Sequence, residues 1–177
     1  MRLFSAATVD RPELLDELER IRNRIDLGFR PVERDMMHVT FQFFKAASSE
    51  DLEELEKALQ SVDTDGFRSE VRSLGSFPSE DHIRVLWAGT GGSGFRQLHE
   101  QIGDHGIEPS GNHDFRPHIT LLRVNNITRK QKRKVQKSLR EYSDHLFGEM
   151  EVRNVKIFRS ERTGNGTEYT ELARKKL

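Results

Sequence analysis

The sequence predicts a bilobal chain of mixed helices and strands, built from two β-α-β-α-β units facing one cleft. Three observations carry that prediction. The string His38-Val39-Thr40-Phe41 returns 80 residues later as His118-Ile119-Thr120-Leu121. Each string lies in a β-favouring run, MMHVTFQFF and RPHITLLRV, so both belong to strands. The apolar periodicity around them follows the same order in both halves of the chain. A duplicated unit implies an approximate twofold relation, which sets the two strings across a cleft from each other.

In the first unit, residues 2–8 (RLFSAAT) read as a strand. A helix follows near 11–26, with Asp10 and Glu13 as a capping pair, Pro12 in the first turn, and one stripe of Leu14, Leu18, Ile21 and Ile25. The strand carrying His38 comes next. SSEDLEELEKALQSV then reads as a helix with Leu52, Leu55, Leu59 and Val62 inward, and a strand around 67–77 closes the unit. The second unit repeats this: a strand at 82–89, a shorter helix marked by Phe95, Leu98 and Ile102, and the strand carrying His118. A helix begins after Thr128 with Val135, Leu139, Tyr142 and Leu146 on one face. A strand near 150–160 and a final strand, TEYTELA (167–173), complete the chain. The repeats run over about 1–80 and 81–160 within one domain of 177 residues. Gly89-Thr90-Gly91-Gly92-Ser93-Gly94 lacks the Lys-Ser/Thr ending of a P-loop and the GxGxxG spacing, so it reads as a strand-to-helix connection.

Composition narrows the function classes. Lys+Arg and Asp+Glu are both 29, so no global field draws nucleic acid or anionic membrane, and any attraction to phosphate has to be local. Cysteine is absent, which removes disulfides, thiolate metal sites and cysteine nucleophiles together. No HExxH-type pair is present, so no metal or cofactor is expected. The N-terminal stretch lacks a charged-then-apolar signal, and no run approaches membrane-spanning length. A cytoplasmic monomer without membrane contact is expected.

The repeated string carries the chemistry. On a strand, His and Thr two apart point the same way while the residue between turns to the other face. A phosphodiester reaction needs one group to deliver a proton, one to remove a proton, and donors to hold the phosphoryl oxygens. His38 and His118, with Thr40 and Thr120, supply all of these. The other histidines (82, 99, 105, 113 and 145) show no paired spacing.

MRLF, HVTFQFF, GSFPSEDHIRVLWAG, RPHITLLRV and IFRSERTGNGTEYTEL resemble, in order and spacing, the 2H phosphoesterase superfamily. Within it the chain is similar to the RNA 2′,3′-cyclic phosphodiesterases long labelled 2′-5′ RNA ligases. The resemblance covers nearly the whole chain. It implies a bilobal α+β fold with antiparallel sheets flanking a central cleft, no metal, and hydrolysis of RNA 2′,3′-cyclic phosphate ends to 2′-phosphates. It assigns His38 as proton donor to the departing 3′-oxygen, His118 as the base that activates water, and Thr40 and Thr120 as phosphate ligands. A 5′-hydroxyl in place of water would give 2′-5′ ligation with the same pair. The alternative is a non-catalytic module that grips a terminal phosphate. The chain departs from the family at Phe43-Phe44-Lys45, where a Phe-Leu-Gly-like turn is usual.

Four further residues are candidates for substrate contact. Arg123 and Arg116 are placed there by the resemblance, as is Arg159, although strict alternation turns Arg123 away from His118. Phe44 falls on the face of His38 by parity and is the stacking candidate, whereas Phe41 and Phe43 fall on the core face. Trp87 reads as core. The run Arg129-Lys130-Gln131-Lys132-Arg133-Lys134 reads as a solvated helix face.

Overall fold

The computed structural model describes residues 1–104, 107–110, 114–164 and 166–177; His105 and His113 lie outside them. The strands are β1 (Leu3–Thr8), β2 (Arg30–Pro31), β3 (His38–Phe44), β4 (Phe67–Pro78), β5 (Ile83–Thr90), β6 (His118–Arg123), β7 (Leu146–Val152), β8 (Asn154–Thr163) and β9 (Gly166–Lys176). The helices are α1 (Pro12–Ile25), α2 (Ser49–Ser61), α3 (Ser93–Gly103) and α4 (Arg129–Glu141).

Among the described residues every strand pairing is antiparallel, in the order β7-β4-β5-β6-β3-β1-β8-β9, with β2 beside the end of β6. The fold is α+β. One half holds β3, β1, β8 and β9, the other β6, β5, β4 and β7. They meet where Val39 pairs with Ile119. The halves are not the two sequence repeats. β4, the closing strand of the first repeat, pairs with β5 and β7, while β8 returns to β1. The helices cross over as well: α1 leaves β1 and packs on β6 and β7, and α3 leaves β5 and packs on β3.

The helical stripes bury as their spacing requires. Leu14, Leu18, Ile21 and Ile25 of α1 are in the core, as are Leu55 and Leu59 of α2 with Val62 at its C-cap, Phe95, Leu98 and Ile102 of α3, and Val135 and Leu139 of α4 with Tyr142 at its C-cap; Leu52 is only partly buried. α2 and α4 each begin with a capping box, Ser48 with Asp51 and Thr128 with Gln131. Each box satisfies two orphan helix donors, and loss of such a cap residue costs about 0.5–2 kcal/mol. α1 differs from the expectation. Its N-cap is Arg11, with no side-chain cap, so Asp10 and Glu13 do not form one. The helix start is instead set by Pro12, whose fixed φ suits the first turn. Leu146 also departs: it opens β7 and is 46% exposed. Its helix ends at Glu141, and the stretch expected as one strand near 150–160 is β7 and β8.

Candidate active site

β3 and β6 build the site together. Their antiparallel pairing at Val39 and Ile119 sets His38 across from Thr120 and Thr40 across from His118. All four line one cleft of ≈ 1090 Å³. Val39 and Ile119 point to the opposite face and are fully buried.

Each strand contains one extra residue just after its threonine. On β3, Ala6 faces Thr40 but Ser5 faces Gln42, leaving Phe41 unpaired. On β6, Trp87 faces Thr120 but Leu86 faces Leu122, leaving Leu121 unpaired. Both are β-bulges, and a bulge reverses the parity of every later residue. Phe43 and Arg123 therefore turn into the cleft. Phe44 goes into the core, 5% exposed, and is not the stacking residue. The same reversal resolves the expectation against Arg123. The bulges stand 80 residues apart, as do the motifs, so Phe43 and Arg123 are twofold counterparts.

The two imidazoles are held alike. Nδ1 of His38 lies 2.6 Å from the Met36 carbonyl, and Nδ1 of His118 lies 2.7 Å from the Arg116 carbonyl. A carbonyl only accepts, so each Nδ1 carries the proton and each Nε2 is left to the cleft. His38 stacks on Phe4 at 4.9 Å and meets the edge of Tyr169 at 5.6 Å. His118 meets Phe77 at 4.9 Å and Trp87 at 5.9 Å. Burial against these rings pushes the His38 pKa down to about 4, with the Arg123 and His118 charges adding to it and the Met36 bond opposing. Burial also lowers His118, helped by Arg123 and Arg116 and opposed by the Arg116 carbonyl bond. Both imidazoles are neutral in the free cleft near pH 7.

Trp87 is half-buried beside His118, outside the core, and does not line the cleft. Its indole lies over Gly75 and Gly89 on the face of Thr120, and a Cβ at Gly75 would overlap the ring. Phe4, Phe77 and Tyr169 escape a reading of the sequence, where each is an ordinary strand aromatic. Arg116 serves the site with its carbonyl. Its side chain borders a separate shallow hollow with Trp87, Arg72 and Thr90, outside the cleft lining. Arg159 pairs with Glu161 at 3.2 Å and does not line the cleft. The basic run of α4 stays outside the lining too. Arg2, Arg30 and Arg162 do line it, together with Glu33. The chain is neutral overall, yet the cleft is cationic.

His99 is held by the Phe41 carbonyl and stacks on Phe115, and His145 pairs with Glu17 at 2.7 Å; neither lines the cleft. Among the described residues, no group of three His, Asp or Glu is placed to hold a metal ion. No helix among them is long and apolar enough to cross a membrane.

Two imidazoles with free Nε2 atoms, two hydroxyls and an arginine around one cationic cleft define a two-histidine phosphoesterase site. The chain belongs to the LigT-like phosphoesterase family, whose model matches residues 9–87 and 93–169. It is 29% identical to the RNA 2′,3′-cyclic phosphodiesterase of Methanocaldococcus jannaschii over 96% of both chains. It is 32% identical to that of Aquifex aeolicus, covering 86% of this chain and 85% of that one. A crystal structure of a Thermus thermophilus protein superposes with a TM-score of 0.81 at 27% identity, covering 100% of this chain and 98% of that one. Escherichia coli LigT in apo form shares the fold, with a TM-score of 0.77 at 24% identity over 99% and 96% of the two chains.

Proposed function

We propose that the cleft hydrolyses RNA 2′,3′-cyclic phosphate ends to 2′-phosphate ends, without a metal, in a cytoplasmic monomer. The observation that carries this reading is the pairing of His38 and Thr40 with His118 and Thr120 about one strand bridge, each Nε2 free toward the cleft. The curated relatives carry the same activity in their names.

The cyclic phosphate lies between the two strands, its non-bridging oxygens held by the Thr40 and Thr120 hydroxyls and by Arg123. His118 takes a proton from water as the water oxygen bonds to phosphorus. The P–O3′ bond breaks, and His38 delivers its proton to the departing 3′-oxygen. A 2′-phosphate and a 3′-hydroxyl result, and the two histidines have exchanged protonation states. A 5′-hydroxyl in place of water gives a 2′-5′ linkage by the same transfers. His38 has to be protonated before this step, and the free cleft disfavours that charge. The anionic substrate supplies the compensation, since a negative charge beside an imidazole favours its protonated form.

The test is incubation with an oligonucleotide ending in a 2′,3′-cyclic phosphate, with excess EDTA present. Conversion to the 2′-phosphate isomer, unchanged by chelator, is the expected result. Binding without turnover would leave a phosphate-gripping module instead. Loss with EDTA that a divalent cation restores would overturn the two-histidine scheme.

A further inference from the structure

Arg30 and Arg123 are cross-strand partners in the β2–β6 pairing, and both line the cleft. Like charges directly opposite on paired strands are destabilising. Arg11 is paired with Glu149, Arg34 with Asp16 and Glu19, and Arg174 with Glu171. Among the described residues, the four arginines that line the cleft, Arg2, Arg30, Arg123 and Arg162, have no carboxylate within salt-bridge distance. Four unneutralised guanidinium groups on one cleft make a site for more than one negative charge.

Arg2 lies over the Phe43 ring at 5.4 Å, and the other three do not stand at the same depth. Arg123 is close enough to both histidines to depress their pKa values. Arg30 is one strand further out, about 4.8 Å away in the hydrogen-bonding direction. A Cβ on Gly166 would lie 3.3 Å from the Arg30 guanidinium, so Arg30 reaches the tip of the β8–β9 hairpin, where Arg162 also lines the cleft. Gly166 has φ +136°, a conformation that glycine takes readily. A glycine here leaves the space that Arg30 uses. The rim thus holds two arginines from opposite halves of the fold, outside the pair that faces the reacting phosphate.

We infer that Arg30 and Arg162 form a second phosphate subsite, which takes the phosphodiester one nucleotide upstream of the reacting end. This rests on the cyclic phosphodiesterase reading above. It makes the protein a reader of oligonucleotide ends, with cyclic mononucleotides as poorer substrates.

The experiment compares three substrates: a dinucleotide with a 5′-hydroxyl and a 2′,3′-cyclic phosphate, the same dinucleotide with a neutral methylphosphonate linkage, and a 2′,3′-cyclic mononucleotide. For the wild-type chain, kcat/KM is expected to be at least about tenfold higher with the charged linkage than with the neutral one, the scale of a charge-assisted hydrogen bond. In the Arg30→Gln/Arg162→Gln double variant that advantage shrinks to about twofold or less, while mononucleotide turnover stays near wild type and reports an intact fold. Equal use of both linkages by the wild type would overturn the subsite. So would a variant that keeps the advantage, or one that loses mononucleotide turnover in parallel. If the wild type turns over none of the three, the cyclic phosphodiesterase reading fails by itself. Equilibrium binding of the two dinucleotides as 2′-phosphates then decides the subsite, with tighter binding of the charged linkage, lost in the variant, as the supporting outcome.

Discussion

Val39 and Ile119 face each other where the two halves of the sheet meet, and each is the middle residue of a His-x-Thr string. Both are fully buried. Their side chains fill the layer beneath the cleft while the histidine and threonine on either side of each line it. Because the pairing is antiparallel, each histidine lies across from the other strand's threonine. The grouping of the two histidines and two threonines on one cleft is therefore a property of the seam between halves and of neither half alone.

Truncation at the seam should cost both stability and turnover. Ile119→Ala is expected to lose about 2–5 kcal/mol, the usual range for a buried isoleucine, and Ile119→Val about 0.5–1.5. Urea unfolding measures both. Turnover per folded molecule should fall with Ile119→Ala and hardly change with Ile119→Val. A loss below about 1 kcal/mol for Ile119→Ala would mean the seam collapses around the missing atoms.

Much of this was legible in the sequence. The His-x-Thr repeat and the stripes of the four helices follow from period, whereas the capping pair expected at Asp10 and Glu13 does not form and the boxes at Ser48 and Thr128 went unread. What else escaped was what pairing decides. Strict alternation sends Phe44 toward His38 and Arg123 away from His118, and the bulges at Phe41 and Leu121 reverse both. One signal was present: Leu121 and Leu122 are adjacent apolar residues, which a strand with one buried face cannot bury together without a bulge. Gly75 and Trp87 could not be matched in advance, since their register depends on β4 and β5. The exchange of β4 and β8 between halves was hidden too, because a repeat in sequence does not say which copy of a strand pairs with which neighbour.

The histidines should make stability fall at mildly acidic pH. The folded pKa of His38 is pushed down to about 4 from the ordinary 6.5, so the unfolded chain binds more protons between those values. The contribution is present above pH 6.5 and is lost as pH falls toward 4; His118, lowered in the same direction, adds to it. Chemical denaturation across this window should show the decline, and His38→Gln should make it shallower. An equally steep decline in the variant would place its origin elsewhere.

Arg123 has two effects that one substitution separates. Its charge disfavours protonation of both histidines, and it lines the cleft in which the proposed reaction sets the phosphoryl oxygens. Arg123→Gln should raise both imidazole pKa values, as read by NMR titration of the free protein. The same change should lower kcat/KM by about 10–100-fold, since a hydrogen bond to a charged group contributes about 1.5–3 kcal/mol. Raised pKa values with unaltered turnover would remove Arg123 from the substrate and leave it a purely electrostatic neighbour.

The division of labour between the histidines is the hardest point to read from a nearly twofold site. His38→Ala and His118→Ala should each lose about 10²–10⁴ in turnover, the usual contribution of general acid or base assistance. The profile of kcat/KM against pH reports the free protein, so both limbs of its bell should fall below the ordinary imidazole value of 6.5, assigned to the pair jointly. Neither measurement says which imidazole is the acid. Burial favours the neutral form more strongly at His38, so its proton, once the substrate anion has brought it, is the more readily given up. That suits the donor role. A cyclic phosphate whose leaving oxygen is acidic enough to depart without protonation isolates the step. It should restore turnover to His38→Ala and leave His118→Ala slow, because water still needs a base. Restoration of His118→Ala instead would exchange the two roles while keeping the reaction.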